Sequence, residues 1–123
     1  MKISFLFSIL ISSFFFLHPP YAPVTWQEEA IYDFGDITKG DTATAVFSFR
    51  NTGTDSLYID NVRTACGCTS PDWADVLVPP DSLGFIHIEY DAEDSGYFSK
   101  WIKVYFNGYR KAERLSIEGY VEE

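Results

Sequence analysis

Cysteine and histidine are nearly absent from this chain, with two of each among 123 residues. A framework of several disulfides is therefore excluded. His87 is the only histidine beyond the first 22 residues, and alone it cannot complete a nucleophile–base–orienter constellation. No activated-serine motif accompanies it, which disfavours a serine hydrolase. Two cysteines and one histidine also leave a tetrahedral zinc site one ligand short. Positive charge is scarce too: 9 Lys and Arg stand against 18 Asp and Glu, a net charge of −9. Such acidity argues against nucleic acid and against docking on anionic lipid, both of which need a basic face. After residue 22 no apolar stripe of helical period and length occurs.

The N-terminus carries the one long apolar run. Lys2 is followed by Ile3 to Leu17, all Ile, Leu, Phe or Ser, and then by His18-Pro19-Pro20. A charged start, an apolar segment and a helix-breaking end have the form of a secretory signal. Its 15 residues fall short of the ~20 that span a bilayer. Cleavage is expected near Ala22, although Pro20 and Pro23 fit the usual small-x-small pattern poorly. Residues 1–22 are thus read as a leader and 23–123 as one domain, periplasmic or secreted. The mature chain has 123 − 22 = 101 residues, and losing Lys2 moves its charge from −9 to −10.

From there on the period is two. Ala45, Phe47 and Phe49 share one face of a strand, as do Ile86, Ile88 and Tyr90, with His87 and Glu89 opposite. Ile102, Val104 and Phe106 alternate with Trp101, Lys103 and Tyr105; Leu115, Ile117 and Val121 alternate with polar residues and Tyr120. This alternation marks half-buried antiparallel strands. Turn residues separate the runs at Lys39-Gly40-Asp41, Asn51 to Asp55, Val78 to Asp81, Glu93 to Gly96 and Asn107-Gly108. Asn107-Gly108 is the sharpest hairpin signal. The pattern predicts an all-β, antiparallel two-sheet sandwich of about seven strands. Trp26, Trp73 and Trp101, with many Tyr and Phe, supply a core for it.

Cys66 and Cys68 flank a single glycine, and nothing else in the chain has the look of a reaction centre. On an extended strand their Cα atoms would lie about 6.6 Å apart, near the ~6.8 Å limit for a bridge; Gly67 can fold them closer. The pair is expected at the end of the third main strand, where Leu57, Ile59 and Val62 precede it and Pro71 is expected to block regular pairing after it. Four readings stay open: a local disulfide or thiol pair with a packing role, exchange with a redox partner, a copper(I) site, or an intermolecular link. His87 is either an exposed strand residue or a third metal ligand beside the cysteines.

The remaining motifs read as structure. Asp33-Phe34-Gly35 matches the metal-binding tripeptide of protein kinases, but no companion motif follows. Phe34 is expected to pack inward and Gly35 to permit a bend where the first strand changes sheet. Asp91, Glu93 and Asp94 gather oxygen ligands, yet their spacing does not fit an EF-hand loop, and a solvated turn is the expectation. Trp73 is read as a lid over one end of the sandwich, with surface recognition as its alternative.

Taken in order, Asp33-Phe34-Gly35-Asp36-Ile37, Phe47 to Gly53, Leu57-Tyr58-Ile59, Ala65-Cys66-Gly67-Cys68-Thr69, Pro79-Pro80-Asp81 and Val104 to Asn107 resemble the bacterial domain-of-unknown-function family 1573. The resemblance covers about residues 30 to 121 and maps that family's cysteine pair onto Cys66 and Cys68. It implies an exported immunoglobulin-like domain related to the Hydin-type and major-sperm-protein domains, and no reaction. Asp81 departs from it, since the family more often has glycine there. The expected role is a binding or structural module of the cell envelope with a protein partner, no turnover and no cofactor. Its candidate surface comprises Asn51, Asp55, Trp73, Asp91, Glu93 and Asp94. Thiol–redox or copper(I) chemistry at Cys66 and Cys68 is the alternative.

Overall fold

The computed structural model describes residues 19–123. Eight strands follow one another: β1 Val24–Trp26, β2 Ile31–Thr38, β3 Ala43–Asn51, β4 Ile59–Thr64, β5 Thr69–Trp73, β6 Leu83–Tyr90, β7 Gly96–Phe106 and β8 Glu113–Glu122. They form two four-stranded sheets, ordered β1-β3-β6-β5 (sheet A) and β2-β8-β7-β4 (sheet B). The predicted alternation is what fills the space between them. Ala45, Phe47, Phe49, Ile86, Ile88, Ile102, Val104 and Ile117 are wholly buried, while Tyr120 stays half exposed. Phe49 joins the layers, its ring meeting Trp26 and Phe106 edge-on at centroid distances of 5.6 and 5.0 Å.

The sandwich is not wholly antiparallel. β2 lies parallel to β8. The N-terminal stretch starts on the edge of sheet A as β1 and passes to the edge of sheet B without reversing. Glu28 holds that passage: its carboxylate accepts the Ser48 backbone N–H and hydroxyl, each at 2.7 Å. The change of sheet therefore falls at residues 27–30 rather than at Gly35. Gly35 instead occupies a bulge inside β2, where the register with β8 slips between Asp33 and Asp36 and its φ is +67°. The bulge pushes the Gly35 carbonyl so close to β8 that a Cβ on Gly119 would lie 2.9 Å from it. Phe34 does pack against the core, as expected.

One other expectation is overturned, and two turns gain detail. Pro71 does not stop pairing: it sits in β5 opposite Ile88. The Thr69 carbonyl accepts from the Thr64 hydroxyl (3.2 Å), so Thr69 turns its backbone away from β6. Pro71, two residues on, turns the same way, and its missing N–H falls on the free edge of the sheet. The β7–β8 connection is longer than a two-residue hairpin, running from Asn107 to Ala112, with Tyr109 packed on the core. Asp81 has φ +66°, a conformation that glycine takes freely and aspartate tolerates, so either residue fits this turn.

The leader proposed for residues 1–22 lies mostly outside the described residues. Its last part does not. Ala22 is buried in the core, and the Pro20 carbonyl accepts the Lys111 N–H at 3.0 Å.

Candidate functional site

Cys66 and Cys68 form a disulfide in the turn between β4 and β5, where the chain leaves sheet B for sheet A. Gly67 folds the turn, and the Cα atoms stand 5.2 Å apart, closer than an extended segment allows. Both cysteines are half-buried and Gly67 is exposed. The turn is tied on every side. Ala65 N–H donates to the Trp101 carbonyl of sheet B (3.2 Å) and Asp91 N–H to the Cys68 carbonyl (3.0 Å). Thr69 N–H donates to the Cys66 carbonyl (3.3 Å), which also faces the Thr64 hydroxyl at 3.2 Å. Beneath the bridge lies buried Thr69, its Oγ1 at 3.8 Å from each sulfur.

The other expected site residues are not brought together. His87 lies on the outer face of sheet A, opposite Val46 and Asp72, and the cysteine turn begins beyond Tyr90. Among the described residues no three His, Cys, Asp or Glu side chains gather as a metal site, and the structure does not bring His87 together with the cysteines. Asn51 is fully buried and cannot face a partner. Its amide donates to the Asp55 and Val78 carbonyls (2.8 and 3.0 Å) and accepts from Gly53 N–H (2.9 Å), so it holds a loop in shape. Asp55 is exposed near it. Trp73 is half-buried at the end of β5 and packs on the core. Asp91, Glu93 and Asp94 form a solvated turn at the opposite end, with Asp91 Oδ1 accepting Glu93 N–H at 3.2 Å. Burial first, then the charges of Asp91 and Asp94, raises the Tyr90 hydroxyl pKa. The two ends are separated by the length of β3, about 27 Å at strand rise, so these residues do not make one surface.

A feature that sequence reading missed lies on the outer face of sheet B. Arg63 on β4 pairs with Lys103 on β7, and Lys103 pairs with Arg114 on β8. Three cations thus stand in one cross-strand row. Like charges set opposite one another repel. Aromatic faces hold two of them in place: the Arg63 guanidinium is 5.5 Å from the Tyr105 ring centre and Lys103 Nζ is 5.0 Å from that of Trp101. Beside the row, Arg110 and Lys111 from the β7–β8 connection complete a groove of about 390 Å³ with Tyr21 and Tyr105. No acidic side chain lines it. The ion pairs among the described residues, Lys39–Glu123 and Arg50–Asp81, involve none of these five cations. Five of the eight basic residues after Lys2 are therefore concentrated on one face of an acidic protein. The signal was present as alternation around Ile102 and Leu115, but only the strand register aligns the charges.

The fold recurs in solved structures of low identity. The ASH/PapD-like domain 7 of human CEP192 superposes with a TM-score of 0.70 at 13% identity, covering 85% of this chain and 89% of that one. A protein of unknown function from Porphyromonas gingivalis W83 gives 0.66 at 18%, covering 79% of this chain and 46% of the other. WR4, a C. elegans MSP family member, gives 0.53 at 4%, covering 83% and 100%. At such identities the likeness is one of fold alone. No curated protein matches the sequence. The family model described as "Protein of unknown function (DUF1573)" spans residues 24–121, and the chain belongs to that family.

Proposed function

We propose that this chain is an exported binding module of the bacterial envelope that captures an acidic protein partner without catalytic turnover. The row Arg63–Lys103–Arg114 carries the reading. Cations opposed in register cost stability, and here no acid of the chain relieves them among the described residues. An external carboxylate-rich segment would do so, with arginine offering the bidentate geometry that carboxylates fit. Stacking on Tyr105 and Trp101 pre-orders the cations, which lowers the entropy lost on binding. The uncharged run from Ile3 to Leu17 supports export.

Poly-L-glutamate titrated into the mature domain, followed by amide chemical shifts, tests this. Shifts along β4, β7 and β8 that weaken steeply with salt are expected. Arg63→Glu with Arg114→Glu should abolish them while the fold persists. Binding that survives the double change, or that maps to Asp55 or Asp91–Asp94, would overturn the reading.

A further inference from the structure

We propose that Cys66–Cys68 is a thiol–disulfide exchange site whose substrate is a protein dithiol, and that the Thr69 hydroxyl stabilises the thiolate that leaves. The inference is independent of the cationic face, which lies on the outer side of sheet B.

The bridge is dispensable to the turn that carries it. Ala65, Thr64, Thr69 and Asp91 tie that turn to both sheets through backbone and hydroxyl hydrogen bonds, at 3.0 to 3.3 Å. None of these bonds involves a sulfur, so the S–S bond can open while the crossover keeps its path. The bridge also closes a loop of only three residues, Cys66 to Cys68, and a loop that short restrains the unfolded chain little. A disulfide that contributes little to the fold, sits half-exposed and has only a glycine between its sulfurs is open to an incoming thiolate.

Thr69 supplies what exchange chemistry needs. Its side chain is buried, with 3% of its surface exposed, so a hydroxyl there must find a partner. Among the described residues the partners of Thr69 Oγ1 are the two sulfurs, each at 3.8 Å. Thr64 differs: its hydroxyl is occupied by the Cys66 and Thr69 carbonyls. A hydroxyl equidistant from both sulfurs serves whichever one leaves. Hydrogen bonding to the charged form lowers a thiol pKa, and a leaving thiol of lower pKa departs faster.

The electron count closes on two thiol pairs. A thiolate of the partner attacks one sulfur of the bridge, forming a mixed disulfide. The S–S bond breaks, and its electron pair goes to the other sulfur, which leaves as a thiolate against Thr69 O–H and takes a proton from water. The partner's second thiol, deprotonated, attacks its own sulfur in the mixed disulfide and releases the remaining cysteine as a thiolate, which is protonated in turn. The partner loses two electrons and gains a disulfide; Cys66 and Cys68 gain two electrons and become thiols.

The test uses the exported chain and dithiothreitol as the dithiol. The native bridge should be reduced without denaturant, and the far-ultraviolet circular dichroism of the reduced protein should match that of the oxidised one. Thr69→Val should slow reduction about tenfold, the worth of one hydrogen bond to a charged group, and should raise the thiol pKa read from the pH dependence of iodoacetamide labelling. Thr69→Ser should restore both. If Thr69→Val fails to fold, the reduced wild type still decides: a more reactive thiol with a pKa below the ~8.5 of free cysteine supports the proposal, and two thiols at or above it overturn the role of Thr69. A bridge that resists dithiothreitol until the protein is unfolded overturns the exchange site itself. So does a Thr69→Val change that lowers the melting temperature but leaves rate and pKa untouched.

Discussion

Replacing Lys103 by glutamate should stabilise this protein while destroying its proposed binding face. Lys103 is the middle member of the row, opposite Arg63 on one side and Arg114 on the other. Each cross-strand charge pair is worth roughly 0.2–1 kcal/mol, with sign set by the charges. Lys103→Glu turns two repulsive pairs into two attractive ones, a gain of about 1–2 kcal/mol at the low end expected for a half-exposed site. It also loses the Lys103–Trp101 contact, worth about 0.5–1 kcal/mol. The net expectation is a gain of about 1 kcal/mol, or a melting temperature about 5 °C higher for a domain of this size. Lys103→Met, which removes charge but keeps a chain over Trp101, should gain roughly half as much. Calorimetry at low and at 1 M salt separates charge from packing, because screening at ~3 Å leaves little of such a pair. A loss of stability in Lys103→Glu, or a gain indifferent to salt, would refute the reasoning.

Four further outcomes follow from particular contacts. Asn51→Ala leaves the Asp55 carbonyl and the Gly53 N–H without their partner and takes one of two donors from the Val78 carbonyl, which keeps the Leu57 N–H, so urea unfolding should show a loss of about 2–3 kcal/mol. Gly119→Ala drives a methyl to 2.9 Å from both the Gly35 carbonyl and the Phe98 ring, and thermal melts should report a loss of about 1–3 kcal/mol with the fold retained. Changing Cys66 and Cys68 together to serine opens a three-residue loop, for which the chain-entropy relation gives about 1.6 kcal/mol; a loss above about 3 kcal/mol would mean that the bridge props the fold. Glu113 has its carboxyl pKa raised by burial, so the folded state favours its protonated form, and its ionisation lowers stability as pH rises through the folded pKa. Glu113→Gln should therefore raise the melting temperature at pH 7 and have little effect of that kind below the ordinary carboxylate range.

Much of the architecture could be read from period-two alternation, because each β3, β6, β7 and β8 run buries one face and wets the other. The parallel seat of β2 was not readable. It depends on Glu28 reaching Ser48, twenty positions away, and on a bulge at Gly35 that a lone glycine does not announce. Pro71 misled for a related reason: proline forbids a central strand, and only the strand order shows that β5 is an edge. Asn51 looked like a polar turn residue, yet its side chain replaces backbone partners inside the fold. Of the candidate chemistry, Cys66 and Cys68 were visible as a pair, whereas Thr69 gained meaning only from its distance to both sulfurs. The cationic row was hidden by the net charge of −9. Arg63, Lys103 and Arg114 lie far apart in sequence, and register alone sets them side by side.

The most direct test of the binding account is photocrosslinking in the native host. A photoreactive residue at Ser116, beside the cationic row and opposite Trp101, is compared with one at Glu93 in the acidic turn. The account predicts that Ser116 captures one acidic envelope protein, that Arg63→Glu with Arg114→Glu abolishes the adduct, and that Glu93 captures none. An adduct from Glu93 with none from Ser116, or one that ignores the charge reversals, would contradict it.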